Sequence, residues 1–249
     1  MDLQKKYEKI IEDYFQENKF EDYLGPVENY ALQEGKRLRP YMTLAWCEFY
    51  GGNAQDAISY AMAIEYIHNM SLIYDDLPCM DNDNYRRDRE TTHKKFGEAA
   101  AILAGGGLIA AAFKNLTDCY LPLDNKIEAV QKLSNTIQLM ASGQYLETFK
   151  TFDITEVNSR KTAVLFGLAC EFGALASMNS KNNRMRSYNW GYNFGLAYQK
   201  FDDLIDNKKK PLEVAFDESF DSFINGSNYL EENSPPTKFL NEIVNKIKR

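Results

Sequence analysis

Apolar residues recur at helical spacing along most of this chain. Sustained alternation of apolar and polar residues, which marks a half-buried strand, is hard to find anywhere. The segments with the helical pattern are 2–18, 38–50, 54–77, 96–117, 125–149, 156–178, 184–206 and, after Ser234-Pro235-Pro236, 239–247. Glycine and proline together make up about 8% of the 249 residues, against a typical ~12%. The sequence therefore predicts an all-α fold of long helices joined by short loops.

No Gly/Ser-rich or Pro-rich linker divides the chain, so one domain over residues 1–249 is expected. The net charge of −7 disfavours a nucleic-acid binder held by phosphate contacts. No two of the four cysteines form a CxxC pair, and the N-terminal segment lacks the apolar core of a signal peptide. The longest apolar stretch, 99–113, is shorter than the ~20 residues that span a bilayer. We expect a reduced, cytoplasmic, soluble protein with no membrane span.

Two acidic clusters stand at the ends of apolar helices. The first comprises Asp75, Asp76 and Asp81, followed by Asp83, and it ends the helix predicted at 54–77. Carboxylates at a helix C-terminus oppose the helix dipole, at a cost of roughly 0.3–1 kcal/mol each. The second cluster comprises Asp202, Asp203 and Asp206; its members four residues apart share a helix face, where like charges repel.

One economical explanation covers two such clusters about 125 residues apart. They converge in space on hard divalent cations, which prefer carboxylate oxygen ligands. Mg²⁺ fits if it keeps several waters and bridges to substrate phosphate. The alternative is two acidic helix ends in solvent.

Basic residues supply the other half of a site for a phosphate-bearing substrate. The segment 35–40 packs three cations into four residues, and Arg86-Arg87 closely follows the first acidic cluster. His68 lies two helical turns before Asp75, so both face the same way. Arginine suits bidentate phosphate contact and lysine a point-charge contact. Taken alone, His68 would be interpreted as a core histidine, and Arg86-Arg87 as a pair of surface residues.

Three consecutive glycines at 105–107 match neither a dinucleotide-binding fingerprint nor a P-loop. We interpret them as a site of close helix packing.

Taken together, these segments resemble the trans-isoprenyl diphosphate synthases of the short-chain farnesyl and geranylgeranyl type. The segments that match that family are GKRLRP at 35–40, a DDxxxxD form of the first aspartate-rich motif at 68–83, Arg86-Arg87, THKKFGE at 92–98, Gly-Gln at 143–144, Lys-Thr at 161–162 and the second aspartate-rich motif at 198–206. They occur in the family's order over roughly residues 25–206, and that combination is highly specific.

The resemblance implies an all-α, single-domain orthogonal bundle of about ten or more helices around a central cavity, usually as a homodimer. It implies an Mg²⁺-dependent prenyltransferase. The reaction would be the 1'-4 head-to-tail condensation of an allylic diphosphate (dimethylallyl, geranyl or farnesyl) with isopentenyl diphosphate, giving a C15–C20 product.

The resemblance also implies a role for each matching residue. Those of the catalytic set would be Asp75, Asp76, Asp81, Lys161, Asp202 and Asp206. The metal ligands among them would be Asp75, Asp81 and Asp202, with Asp206 in support. The allylic diphosphate would be held by Arg86, Lys161, Thr162 and Gln199. Isopentenyl diphosphate would be held by Lys36, Arg39, His68 and Arg87.

Three departures from the family pattern leave other functions open. Asp88-Arg89-Glu90 replaces the usual Gly-x-Pro, and Gly106-Gly107 stands where Gly-Asp is usual. After Asp206 the chain continues with three lysines and then lacks some tens of residues that normally help close the site. A catalytically weak homologue acting as a regulatory or partner subunit is therefore the alternative. A terpene cyclase is a third possibility. Lys36, Arg39 and His68 argue against it, because a cyclase has no second diphosphate to hold.

Product length depends on residues just before the first Asp pair, which in the family form part of the pocket floor. Here these residues are Met70 and Ser71, five and four positions before Asp75. A flexible thioether yields where a planar ring blocks. The sequence thus predicts C15 to C20 products with C20 favoured, and shorter products from Met70→Tyr or Met70→Phe. The alternative is that Met70 is simply a core residue.

Overall fold

The computed structural model describes residues 3–149, 153–206, 220, 234 and 236–238. Within these ranges the α-helices are α1 (Leu3–Glu17), α2 (Gly25–Ala31), α3 (Leu38–Phe49), α4 (Ile58–Asp75), α5 (Thr92–Phe96), α6 (Glu98–Asp118), α7 (Leu123–Phe149), α8 (Ile154–Asn158), α9 (Val164–Ala176) and α10 (Lys181–Asp206). A 3₁₀ turn, Ala54–Ala57, leads into α4, and a π-helical turn, Ser159–Ala163, joins α8 to α9. The predicted all-α class is confirmed.

The helices predicted at 2–18, 38–50, 96–117, 125–149 and 184–206 are confirmed within a few residues. The helix predicted at 54–77 begins with the 3₁₀ turn, and the one predicted at 156–178 contains the π-helical turn. The one predicted at 239–247 lies outside the described residues.

Short elements were not predicted. Helix α2 has seven residues, and Pro26 occupies its first turn, where no amide donor is needed. Two short antiparallel strands, β1 (Tyr85–Arg86) and β2 (Arg89–Glu90), form a hairpin. Its two turn residues, Arg87 and Asp88, have φ values of 53° and 61°. Positive φ at both central positions is the geometry of a tight hairpin turn.

Helices α4 and α9 form the centre of the bundle. Every residue of α9 is buried, as are thirteen of the eighteen residues of α4. A helix that is apolar all round is a core helix. Helix α9 packs against α3 and α10, and α4 packs against α6. Phe166 and Phe172 of α9 are fully buried, and burial of each stabilises the fold by about 1.5–3 kcal/mol.

The glycine segment 105–107 permits close helix packing, as predicted. A β-carbon at Gly105 would collide with the ring of Tyr74 on α4, and one at Gly107 would collide with the carboxylate of Glu28 on α2. A β-carbon at Gly106 would meet no atom of the described residues within 4 Å. Two of the three glycines therefore let α6 approach its neighbours.

Helix α6 is apolar, yet most of its apolar window is not buried. By length and composition it is long and apolar enough to cross a membrane, because the helix continues beyond the apolar stretch at 99–113. It is the one such helix among the described residues, and 33% of its apolar window is buried. Ile102 and Leu103 of α6 are exposed, as are Ile127 and Leu139 of α7. A core or interface helix satisfies the same criteria as a membrane span.

Candidate active site

A cavity of about 370 Å³ lies between the segment that enters α3, helices α4, α7 and α10, the π-helical turn and the hairpin. The predicted site residues that line it are Lys36, Arg39, His68, Asp75, Arg86, Arg87, Lys161, Thr162, Gln199 and Asp202. They come from five separate parts of the chain. The structure thus brings together residues from both aspartate-rich motifs, from the basic segment 35–40 and from the pairs Arg86-Arg87 and Lys161-Thr162.

Two predicted residues are placed elsewhere, and the side chain of a third lies outside the described residues. Asp76 is buried and accepts a hydrogen bond from Arg86 Nε at 2.7 Å, so its carboxylate faces the hairpin. Asp81 is exposed and does not line the cavity as described, although its charge acts on Asp75. Asp206 ends α10, and its side chain lies outside the description. The roles assigned to these three residues stay predictions.

Helical spacing on α4 explains why several of its side chains face the cavity. Glu65, His68, Leu72 and Asp75 follow one another at intervals of three or four residues and therefore share a face. Ser71 borders the same face and also lines the cavity. Met70 is 6% exposed within the hydrophobic core and is not among the described lining residues. The alternative interpretation of Met70 as a core residue matches this placement.

Lys161 stands at the acidic end of the cavity. Its Nζ lies 3.5 Å from Asp75 Oδ2 and also pairs with Glu147 of α7. Burial alone would lower the pKa of Lys161, but the two carboxylates outweigh it and raise the pKa. Gly143 makes this position possible, because a β-carbon there would collide with the backbone amide of Lys161.

Negative charge exceeds positive charge at this end. Burial raises the pKa of Asp75 to about 6; Lys161 opposes the shift and Asp81 adds to it. Among the described residues no three acidic, histidine or cysteine side chains form a ready metal-binding cluster. The donor chemistry nevertheless suits Mg²⁺, which prefers oxygen ligands. Asp75 and Asp202 both line the cavity, and Lys161 forms ion pairs with both Asp75 and Glu147. A hard cation that keeps some of its waters fits this sparse oxygen set.

The opposite end of the cavity is cationic. Arg39 lies 3.9 Å from the ring centroid of Phe166, and its buried Nε has no hydrogen-bond partner among the described residues. Burial lowers the pKa of Arg39 to about 10. His68 is held neutral, because burial and the charges of Arg39 and Arg87 put its pKa well below the usual value. A buried guanidinium nitrogen without a hydrogen-bond partner among the described residues, together with the neighbouring cations, creates a place for an anion.

The two adjacent arginines are held by different partners. Arg86 forms an ion pair with Asp76 and, at 3.5 Å, with Asp83. Arg87 occupies the turn of the hairpin and donates to the carbonyl oxygen of Glu34 at 2.7 Å. The residues that depart from the family pattern, 88–90, complete the same hairpin. A hairpin thus presents both arginines without the usual Gly-x-Pro.

Gln199 and Thr162 meet where α10 passes the π-helical turn. The Thr162 hydroxyl donates to Gln199 Oε1 at 2.9 Å, and Gln199 Nε2 donates to Asp203 Oδ1 at 3.0 Å. Gly195, one turn earlier on α10, allows this approach, because a β-carbon there would press on the Cα of Ala163. Two predicted diphosphate contacts are therefore coupled directly.

Sequence reasoning assigned no role to several polar residues of this site. Arg37 and Glu65 form an ion pair at 2.6 Å in the cavity wall. Glu65 lies three residues before His68, so helical spacing was a usable signal for it. Glu147 and Asn158 had no such signal, because only tertiary packing brings them to Lys161 and Asp203.

The comparisons with known proteins agree with this geometry. The polyprenyl synthetase family model matches residues 21–215, and the chain belongs to this family. It is 38% identical over 194 residues to geranylgeranyl pyrophosphate synthase 4 of Arabidopsis thaliana, covering 74% of this chain and 52% of that protein. It is also 38% identical over 188 residues to farnesyl diphosphate synthase of Micrococcus luteus, covering 72% and 64% of the two chains. The chain therefore spans about half to two thirds of these curated relatives.

Solved structures resemble the protein over nearly its whole length. An apo FPP/GFPP synthase from Zymomonas mobilis superposes with a TM-score of 0.86 at 30% identity, covering 98% of this chain and 97% of that one. A geranyltransferase from Helicobacter pylori gives a TM-score of 0.86 at 26% identity, covering 99% and 97%. These likenesses confirm the isoprenoid synthase type of fold that the motifs implied.

Proposed function

We propose that the protein condenses an allylic diphosphate with isopentenyl diphosphate, head to tail, to a C15–C20 prenyl diphosphate. The observation that carries the proposal is one cavity lined both by Asp75 and Asp202, one from each acidic cluster, and by the cations Arg39 and Arg87. Two diphosphates need both kinds of group, because a metal held by carboxylates would assist the diphosphate that leaves and cations would hold the other one. The names of the relatives from Arabidopsis thaliana and Micrococcus luteus support the same reaction class.

At the acidic end, Asp75, Asp81 and Asp202 would hold Mg²⁺, with Asp206 in support. The metal supplies charge neutralisation for the departing diphosphate. Lys161, Arg86 and Gln199 then donate hydrogen bonds to its oxygens. Fixed donors aimed at developing charge lower the barrier most in a site from which water is excluded.

At the cationic end, Arg39, Lys36 and Arg87 hold isopentenyl diphosphate with its double bond toward the allylic carbon. Neutral His68 adds a hydrogen bond without a further charge. The double bond attacks the allylic cation, and the proton lost from the adduct passes to the released diphosphate. Leu165 and Tyr198 provide apolar wall that keeps water from the cation.

Incubation of the full chain with isopentenyl diphosphate, each allylic primer and MgCl₂ tests the proposal. We expect prenyl diphosphates of C15 to C20 by product analysis, and none in EDTA. Activity that appears only after addition of a second prenyl synthase would instead identify a partner subunit. Cyclic hydrocarbons formed from the allylic diphosphate alone would identify a cyclase.

Ser71→Phe is expected to shorten the main product by one five-carbon unit. Ser71 lies one turn before Asp75 in the cavity wall, so a ring there occupies the path of a growing tail. Met70→Phe is the matched control, because Met70 packs in the core, and we expect it to affect stability more than product length. Chain-length analysis checks both. If Met70→Phe shortened the product and Ser71→Phe did not, Met70 rather than Ser71 would form part of the pocket floor.

We propose that a second copy of this chain covers the exposed apolar residues of α6 and α7 in a homodimer. Support comes from Ile102, Leu103, Ile127 and Leu139, which are exposed apolar residues on these two helices. Leu103→Glu is expected to halve the particle mass in light scattering without loss of helix content. Unchanged mass in Leu103→Glu would contradict the interface, and recovery of the wild-type protein only from membranes would point to a spanning α6.

A further inference from the structure

A chain of hydrogen bonds links the second aspartate-rich motif to α8. Thr162 donates to Gln199 Oε1, Gln199 Nε2 donates to Asp203 Oδ1 at 3.0 Å, and Asn158 Nδ2 donates to Asp203 Oδ2 at 3.2 Å. The two oxygens of one carboxylate thus bridge two amide groups from different elements. Sequence reasoning assigned Asp203 no role beyond membership of an acidic cluster.

Asp202 and Asp203 face in different directions. Successive residues of an α-helix point about 100° apart. Asp202 lines the cavity, whereas Asp203 is not among the described lining residues and is turned toward α8. Its carboxylate is therefore directed at protein donors rather than at the place where the acidic clusters meet.

We propose that Asp203 is a positioning residue that fixes the amide of Gln199 so that Gln199 presents a donor to the allylic diphosphate. The inference rests on the proposed function, in which Gln199 contacts that diphosphate. A carboxylate only accepts hydrogen bonds, so it holds Nε2 toward Asp203 and Oε1 toward Thr162. The second N–H of Gln199 is then left in one defined orientation beside the cavity.

An amide in place of the Asp203 carboxylate keeps both partners only if a second side chain changes its orientation. If the side chain introduced by Asp203→Asn turned its oxygen to Gln199, its own NH₂ would oppose the NH₂ of Asn158 unless the Asn158 amide also turned over. If it turned the other way, two donors would meet at Gln199 instead. Combining Asp203→Asn with Asn158→Asp removes the conflict. The carboxylate is then at position 158 on α8, where it accepts a hydrogen bond from the amide NH₂ at position 203 on α10. The oxygen of that amide accepts a hydrogen bond from Gln199. This exchange moves the negative charge and keeps a donor facing an acceptor in both the hydrogen bond to Gln199 and the one between positions 158 and 203.

The experiment compares Asp203→Asn, Asn158→Asp and the double variant in the full-length protein. The measurements are kcat, KM for geranyl diphosphate, KM for isopentenyl diphosphate, and Kd for the unreactive geranyl thiodiphosphate with MgCl₂. Asp203→Asn is expected to raise the geranyl diphosphate KM and the thiodiphosphate Kd about tenfold, as loss of one charge-assisted hydrogen bond does. The isopentenyl diphosphate KM should not change. The double variant should return both raised values to within about threefold of wild type.

Two results would overturn the inference. One is an unchanged Kd in Asp203→Asn; the other is a loss that persists in the folded double variant, which would show that the charge of Asp203 itself is needed. Circular dichroism and Tm establish that each variant is folded. Failure of the proposed function is distinct, because it appears as a wild-type protein that neither condenses the substrates nor binds the thiodiphosphate.

Discussion

Asp75→Asn and Asp202→Asn are each expected to lower kcat by about a thousandfold while helix content is retained. Each substitution keeps the shape of the side chain and removes one of the carboxylates that line the cavity. Loss of a hard-cation ligand removes several kcal/mol of charge stabilisation at the departing diphosphate, and about 4 kcal/mol corresponds to a thousandfold in rate. Steady-state kinetics at saturating MgCl₂ with both substrates measures the effect.

Asp83→Asn is the matched control for this pair. Asp83 belongs to the same acidic segment, but its side chain is 52% exposed and pairs with Arg86 only at 3.5 Å. Exposed ion pairs contribute little, so we expect kcat within about twofold of wild type. Normal turnover in Asp75→Asn or Asp202→Asn would contradict a metal site made by both clusters. Equal losses in all three variants would point to net charge rather than to ligands.

The long helices were predictable because the signal for each is local. An apolar face repeats several times within α1, α7 or α10, and each repeat supports the same assignment. Helix α2 and the hairpin offer one or two repeats at most, and the turn geometry of Arg87 and Asp88 leaves no mark in hydrophobic patterning. The first departure from the family pattern fell in that hairpin.

The site was predictable to the extent that its residues lie in motifs. Both aspartate pairs and the cations around them could be named, and most of them line one cavity. The partners that orient these residues could not be named from the sequence. Glu147 and Asn158 are single polar residues outside any motif, and the hydrophobic pattern predicts only that each lies on a helix surface. Their value arises only when α7 and α8 pack beside Lys161 and Asp203. The same reasoning applies to Asp76, whose carboxylate is directed at Arg86.

Gly173→Ala is expected to destabilise the protein by about 3 kcal/mol, the upper range for overpacking a core. A β-carbon at this position would collide with the carbonyl oxygen of Thr43 and press on the backbone amide of Cys47. Backbone atoms have no alternative rotamer, so α3 and α9 would have to move apart. In a domain of this size the expected fall in Tm is about 10 °C, measured by calorimetry.

Gly106→Ala is the control, because a β-carbon there meets nothing in the part of the chain that the structure describes, and alanine favours a helix over glycine by up to about 1 kcal/mol. Particle mass measured in parallel shows whether that control alters self-association. The Gly173 contact also bears on the site. Arg39 lies in the first turn of α3, and α9 follows the π-helical turn that carries Lys161. Separation of these helices should therefore raise the KM for isopentenyl diphosphate as well as lower Tm. An unchanged Tm in Gly173→Ala would show that α3 and α9 accommodate a methyl group at this crossing without loss of stability. The spacing between the two diphosphate-binding ends of the cavity would then depend on other contacts.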